Sequence, residues 1–122
     1  MASGIVIVSH VKEIGEGVDR LIKEVAKDVP ITIAAGLDQG EVGTSFERIM
    51  AAFEENPAQQ LLAFYDLGSA KMNLEMAIDM TEKEVLLFDT ALVESAYTAA
   101  ALLQVDTPLE AIKEQLAPLK IK

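Results

Sequence analysis

Four short segments gather the polar residues whose types could do chemistry: Ser9-His10, the glycine-rich Gly36 to Ser45 stretch, Asp66-Leu67-Gly68-Ser69 and Asp89-Thr90. His10 is the only histidine in the chain. A neutral imidazole is a competent nucleophile near neutral pH, since its ordinary pKa is about 6.5, and it could attack phosphorus directly. A carboxylate such as Asp66 could accept a hydrogen bond from the other ring nitrogen and so set tautomer and orientation. Phosphoryl transfer also needs donors for three equatorial oxygens, because its loose transition state is helped mostly by positioning and electrostatics. The N–H groups at Gly68 and Ser69, with the Ser69 hydroxyl, would supply them at the start of a helix. Ser9 and the Gly43-Thr44 turn are further candidates for holding phosphate.

Each of these residues also has a plainer role. A lone histidine at a strand end is more often a structural hydrogen-bonding residue than a nucleophile. Asp66 and Ser69 could be helix caps, and the glycines a surface turn. Three named motifs are excluded. Gly15-Glu16-Gly17 lacks the third glycine of a dinucleotide fingerprint, since Arg20 stands there. Gly43-Thr44-Ser45 has no lysine before its hydroxyl residues, so it is not a Walker loop. An aspartate ending a strand would suit a receiver domain, but the acidic pair needed to hold magnesium is replaced by Ser9-His10.

The surrounding elements must bring these segments together. Gly4 to Val8 is a continuous apolar, β-branched run that suits a strand buried on both faces. Val18, Leu21, Ile22 and Val25 then recur at helical spacing, predicting a helix over Gly17 to Asp28 that Pro30 closes. Ile31 to Ala35 reads as a second strand, and the three glycines from Gly36 to Gly43 as a loop able to take positive φ. A helix capped at Thr44 or Ser45 carries Phe46, Ile49, Met50 and Phe53 on one face and closes at Asn56-Pro57. Gln60 to Tyr65 forms a third strand, with a helix through Leu74 and Ile78 behind it. Val85 to Phe88 is a fourth strand, Leu92 to Leu103 an alanine-rich helix, and Thr107-Pro108 the cap and first turn of a last one.

Strands alternating with amphipathic helices predict an α/β fold. It is an open, mainly parallel sheet of four or five strands with helices on both faces, a flavodoxin-like three-layer sandwich of order 2-1-3-4. In such sheets chemistry collects at the carboxyl ends of the strands, where their order reverses, which here is the crevice between the first and third strands.

The composition narrows the function. The 122 residues contain no linker-like stretch, so one domain over 1–122 is expected, and 51% apolar residues suffice for a core. Ten basic against twenty acidic residues leave a net charge of -10, which repels nucleic acid and anionic membrane surfaces. The absence of cysteine removes thiolate chemistry, suits a reducing cytoplasmic setting, and with a single histidine makes a zinc site unexpected. Met1-Ala2-Ser3 followed by a short apolar run is too brief for an export signal or membrane span.

Ile5 to His10, Gly15-Glu16-Gly17-Val18, Ala34-Ala35-Gly36, Gly43-Thr44, Asp66-Leu67-Gly68-Ser69-Ala70 and Leu92-Val93-Glu94 together resemble one family in order and spacing. It is the phosphotransferase subunit of the phosphoenolpyruvate-dependent dihydroxyacetone kinase, similar in fold to mannose-type IIA domains of the bacterial sugar phosphotransferase system. The resemblance implies that His10 takes phosphate on Nε2 from the phosphocarrier HPr, with Asp66 in support. It further implies transfer to ADP in the kinase subunit DhaL, for phosphorylation of dihydroxyacetone on the DhaK subunit. A homodimer is implied, with no cofactor bound by this chain. Relatives often read Leu-Val-Glu-Gly-Ala where this chain has Leu92-Val93-Glu94-Ser95-Ala96, which leaves any backbone role of that glycine open. Some relatives continue into phosphocarrier domains; this sequence ends at Lys122, so a separate HPr is expected. A IIA component for sugar transport and a non-catalytic binding module are the alternatives.

Overall fold

A computed structural model describes residues 3–122; Met1 and Ala2, where the reading of the N-terminus begins, lie outside it. Strand β1 (Ser3–Ser9) is buried along its whole length, as its unbroken apolar run requires. It is flanked by β2 (Ile31–Ala35) and β3 (Gln60–Tyr65), and β4 (Glu84–Phe88) completes an all-parallel sheet of order β2-β1-β3-β4. The sheet thus has four strands. One isolated antiparallel bridge, Thr90 to Lys120, continues past the end of β4.

Alternate side chains of each strand enter two separate cores. Ile5, Ile7, Leu62 and Phe64 pack under α1 (Lys12–Lys23), α4 (Leu92–Gln104) and α5 (Leu109–Leu116). Val6, Val8, Ala63 and Tyr65 face α2 (Phe46–Glu55) and α3 (Ala70–Met80). Fully burying each of the larger aliphatic side chains contributes roughly 1.5–3 kcal/mol. Phe64 and Phe88 stack across adjacent strands at 5.3 Å between ring centroids.

Two helices depart from expectation at their ends. Helix α1 runs over Lys12–Lys23, not Gly17 to Asp28, so Gly15 lies within it. A Cβ at Gly15 would sit 2.4 Å from that of Ala35, and only glycine lets α1 approach β2 this closely. Leu21, expected on the buried face, is exposed, whereas Val18 and Ile22 are buried. The helix stops well before Pro30, its last turn tightening as Glu24 and Val25 donate to the Leu21 and Ile22 carbonyls; the segment beyond is held by α4, where Gln104 accepts from the Asp28 N–H at 2.9 Å and donates to its carboxylate at 2.8 Å.

Thr107 does not cap α5; Pro108 occupies the cap position. The Thr107 N–H instead returns to the Leu102 carbonyl and that of Asp106 to Leu103, with Asp106 at φ 58°. This is the double closure that ends a helix through a left-handed residue, and it commits Thr107 to finishing α4. Ser45 caps α2 as expected, its Oγ accepting the Arg48 N–H at 3.2 Å. Among the described residues, no helix is long and apolar enough to cross a membrane.

Candidate active site

The register of the sheet brings the two central residues together. Val8 pairs with Tyr65, so Ser9-His10 and Asp66 leave adjacent strands side by side at the switch of strand order. His10 Nδ1 lies 2.9 Å from Asp66 Oδ1. Its Nε2 lies 2.7 Å from the Ser69 hydroxyl. The imidazole is therefore held by both nitrogens, with its side chain only 16% exposed and that of Asp66 12%.

Asp66 is held as firmly. Oδ1 also accepts the Leu67 N–H at 2.7 Å, and Oδ2 accepts the Ser9 hydroxyl at 2.8 Å and the His10 N–H at 2.9 Å. Burial alone would raise this carboxyl; the donors from His10, Ser9 and Leu67 outweigh it and hold Asp66 below the ordinary carboxylate range. An ionised carboxylate only accepts, so His10 carries its proton on Nδ1 and presents the Nε2 lone pair to Ser69. The Ser9 Oγ in turn accepts the Val11 N–H at 3.2 Å, tying the first turn after β1 to the same cluster.

The Asp66 to Ala70 turn also leaves backbone donors without acceptors. Ala70 and Lys71 donate their N–H groups to Leu67 and Gly68 carbonyls at 3.0 Å each, whereas the Gly68 and Ser69 N–H groups have no acceptor among the described residues. Both residues are exposed. Ser69 sits at the N-terminal boundary of α3 without capping it; its hydroxyl is turned to His10 instead. The Ser69 hydroxyl, at the positive end of a helix, thus lies against the Nε2 edge of the ring.

Gly43 and Thr44 enter by the backbone and at one remove. The Gly43 N–H donates to the His10 carbonyl at 2.8 Å, so it anchors the histidine and is not an available phosphate donor. Gly43 has a φ of 148°, as the loop reading anticipated. The Thr44 hydroxyl is 3.0 Å from Asn73 Nδ2 and accepts from it, linking the loop to α3. No hydrogen bond joins Thr44 to the His10 ring among the described residues. Ser95 is buried in regular helix α4, so this position requires no glycine-only conformation here.

Behind Asp66 lies a cluster that sequence reasoning missed. The Tyr65 hydroxyl donates to Asp89 at 2.6 Å, and Lys71 reaches the same carboxylate at 3.2 Å. Burial and the Asp89 carboxylate push the Tyr65 phenol far above its ordinary value. Burial raises the Asp89 carboxyl, but Tyr65 and Lys71 together bring it below its usual range. Lys122 donates to the Tyr65 and Asp66 carbonyls at 2.7 and 2.9 Å. The Asp89 position after the fourth strand was a signal for part of this cluster; no local pattern points to Lys122.

Comparison with known proteins adds to this geometry. The EIIA-man family, described as the PTS system fructose IIA component, matches residues 4–113. This chain belongs to the EIIA-man family. It is 54% identical over 122 residues to a Lactococcus lactis protein named PTS-dependent dihydroxyacetone kinase, phosphotransferase subunit DhaM, covering 100% of this chain and 99% of that one. A Listeria innocua protein, PEP-dependent dihydroxyacetone kinase 1, phosphoryl donor subunit DhaM, is 46% identical over 119 residues, with 98% and 96% covered. Among solved structures, that of a protein of unknown function, EF1359, superposes with a TM-score of 0.86 at 29% identity, covering 100% of this chain and 98% of that one. The neighbour thus shares the fold of this chain over its full length.

Proposed function

We propose that this EIIA-man protein is the phosphoryl donor subunit of a phosphoenolpyruvate-dependent dihydroxyacetone kinase, carrying phosphate on His10. The observation that carries the chemistry is the doubly held imidazole, with Asp66 on Nδ1 at 2.9 Å and Ser69 on Nε2 at 2.7 Å. The two DhaM relatives, similar over nearly their whole length, support the choice of system.

In this reading the Nε2 lone pair attacks the phosphorus of a phosphohistidine on the donor protein HPr. The new N–P bond forms as the donor's N–P bond breaks, and that electron pair returns to the donor imidazole. Asp66 keeps the proton on Nδ1 and stabilises positive charge developing on the ring. Ser69 must turn its hydroxyl away from Nε2 as phosphorus approaches. The hydroxyl then joins the Gly68 and Ser69 N–H groups in donating to the phosphoryl oxygens. In the second half a terminal phosphate oxygen of ADP, held by the kinase subunit DhaL, attacks the same phosphorus and Nε2 recovers its pair. The resulting ATP would phosphorylate dihydroxyacetone on DhaK. No cofactor of this chain enters either step. We further assign a homodimer and a cytoplasmic setting to it.

The test is intact mass after incubation with phosphoenolpyruvate, enzyme I and HPr, followed by addition of ADP-loaded DhaL. One added phosphoryl group is expected, absent in His10→Ala and discharged by DhaL with ADP. A fully phosphorylated His10→Ala variant overturns the site. Discharge only to a sugar-transport IIB protein overturns the choice of acceptor.

A further inference from the structure

Lys122 is 56 residues away from Asp66 in sequence, yet its ammonium donates to the Asp66 carbonyl at 2.9 Å and to that of Tyr65 at 2.7 Å. These carbonyls lie where the β3 to β4 ladder has ended, since the last pair is Phe64 with Phe88. A lysine side chain thus takes the place of a missing strand. Its backbone is itself held in place. The Ile121 and Lys122 N–H groups both donate to the Asp89 carbonyl, and Leu119 accepts from Ala91, so the tail is laced to the end of β4. The ammonium lies 4.3 Å from the centre of the Tyr65 ring, whose hydroxyl is fixed by Asp89.

The consequence runs through one rigid peptide unit. The Asp66 carbonyl and the Leu67 N–H belong to the same plane, so holding one orients the other. That N–H donates at 2.7 Å to Asp66 Oδ1, the oxygen that accepts from His10 Nδ1. The same turn carries Ser69 to the other ring nitrogen. We propose that Lys122 is a positioning residue for phosphoryl transfer, locking the β3 to α3 turn so that Asp66 and Ser69 meet opposite edges of the His10 ring. Burial lowers the affinity of this lysine for its proton, and the nearby Asp66 and Asp89 carboxylates oppose that change. The proposal rests on His10 being the phosphorylated residue.

The test compares Lys122→Met, Lys122→Arg and the tail control Lys120→Met, each checked for folding by thermal melting. Single-turnover phosphorylation by phospho-HPr is followed across a range of donor concentrations, and the His10 tautomer by ring nitrogen chemical shifts. Lys122→Met should lower the saturating rate about tenfold, the smaller end of the usual effect of an outer-shell partner, at unchanged half-saturation. It should also reduce the share of the tautomer protonated on Nδ1. Lys122→Arg should restore both, and Lys120→Met should change neither. A folded Lys122→Met variant with wild-type rate and tautomer overturns the proposal, as does a loss of rate that Lys122→Arg leaves uncorrected. Wild-type protein that takes up no phosphate would refute the His10 reading instead, so the two failures are separable.

Discussion

Replacing Asp66 with asparagine keeps the shape of the side chain and removes its ability to accept on both sides. The carboxylate receives four donors: His10 Nδ1–H and Leu67 N–H on one oxygen, Ser9 Oγ–H and His10 N–H on the other. An amide has one oxygen and one NH2 group. With NH2 toward Oδ1, His10 can answer by moving its proton to Nε2, but the Leu67 N–H is stranded. With NH2 toward Oδ2, the Ser9 hydroxyl can rotate, but the His10 N–H is stranded. Each orientation therefore leaves one backbone donor without its partner: the part-buried His10 N–H costs about 1–3 kcal/mol of stability, and the exposed Leu67 N–H, which water can reach, costs less. The first orientation also converts Nε2 from lone pair to N–H, which abolishes its nucleophilicity in that fraction of molecules.

Asp66→Asn should thus fold, lose at most about 1–3 kcal/mol of stability, and phosphorylate about 10- to 100-fold more slowly, as outer-shell losses do. Urea unfolding and rapid-quench phosphorylation by phospho-HPr measure the two quantities. A pH series adds a third check. Because the folded-state carboxyl titrates below its ordinary value, its contribution is complete above about pH 4 and is lost as pH falls through the folded pKa. The stability gap between wild type and Asp66→Asn should accordingly close on acidification. Equal transfer rates with an unchanged His10 tautomer would refute the positioning role. A stability gap that widens in acid would refute the hydrogen-bonding argument.

Ser69→Ala leaves the Nε2 lone pair in place but removes a donor to the phosphoryl oxygens, so transfer should slow roughly tenfold or more while stability stays within about 0.5 kcal/mol; the same quench and unfolding assays check it. Gly15→Ala and Gly17→Ala should move stability in opposite directions. A methyl at Gly15 meets Ala35 at 2.4 Å and costs about 1–3 kcal/mol, whereas one at Gly17 meets nothing within 4 Å and gains up to about 1 kcal/mol of helix propensity, as urea midpoints will report. Ser45→Ala removes the α2 cap, lowering stability by about 1 kcal/mol in the same measurement without changing the phosphorylation rate.

The residues that meet at the sheet's end were readable because each follows a short apolar run whose length and period leave one assignment. Val8 and Tyr65 form the last pair of the ladder between β1 and β3, and polar chemistry begins immediately after each. The helix starting at Lys12 was harder to see, since Gly15 and Gly17 look locally like a turn. Only the packing of α1 on Ala35 explains the first of them. Gly43 misled in another way. Its positive φ was anticipated, but the destination of its N–H depends on where the His10 carbonyl falls in space. Lys122 was invisible for the same reason in stronger form: its partners are backbone carbonyls, which carry no sequence signal at all.

Two residues at this crevice could in principle receive a phosphoryl group, and the hydrogen bonds discriminate between them. All four acceptor directions of the Asp66 carboxylate are occupied, and two of its donors are backbone N–H groups that cannot turn away. Attack by Asp66 on phosphorus would have to break that shell in a nearly buried place. His10 Nε2 faces only a hydroxyl on an exposed residue, free to rotate about a single bond. Its displacement costs one hydrogen bond, which the incoming phosphoryl oxygens restore. The same full shell makes Asp66 a poor base, so the proton on Nδ1 stays on the ring and the other nitrogen keeps its lone pair. The arrangement therefore favours the histidine as nucleophile and the aspartate as its fixed support.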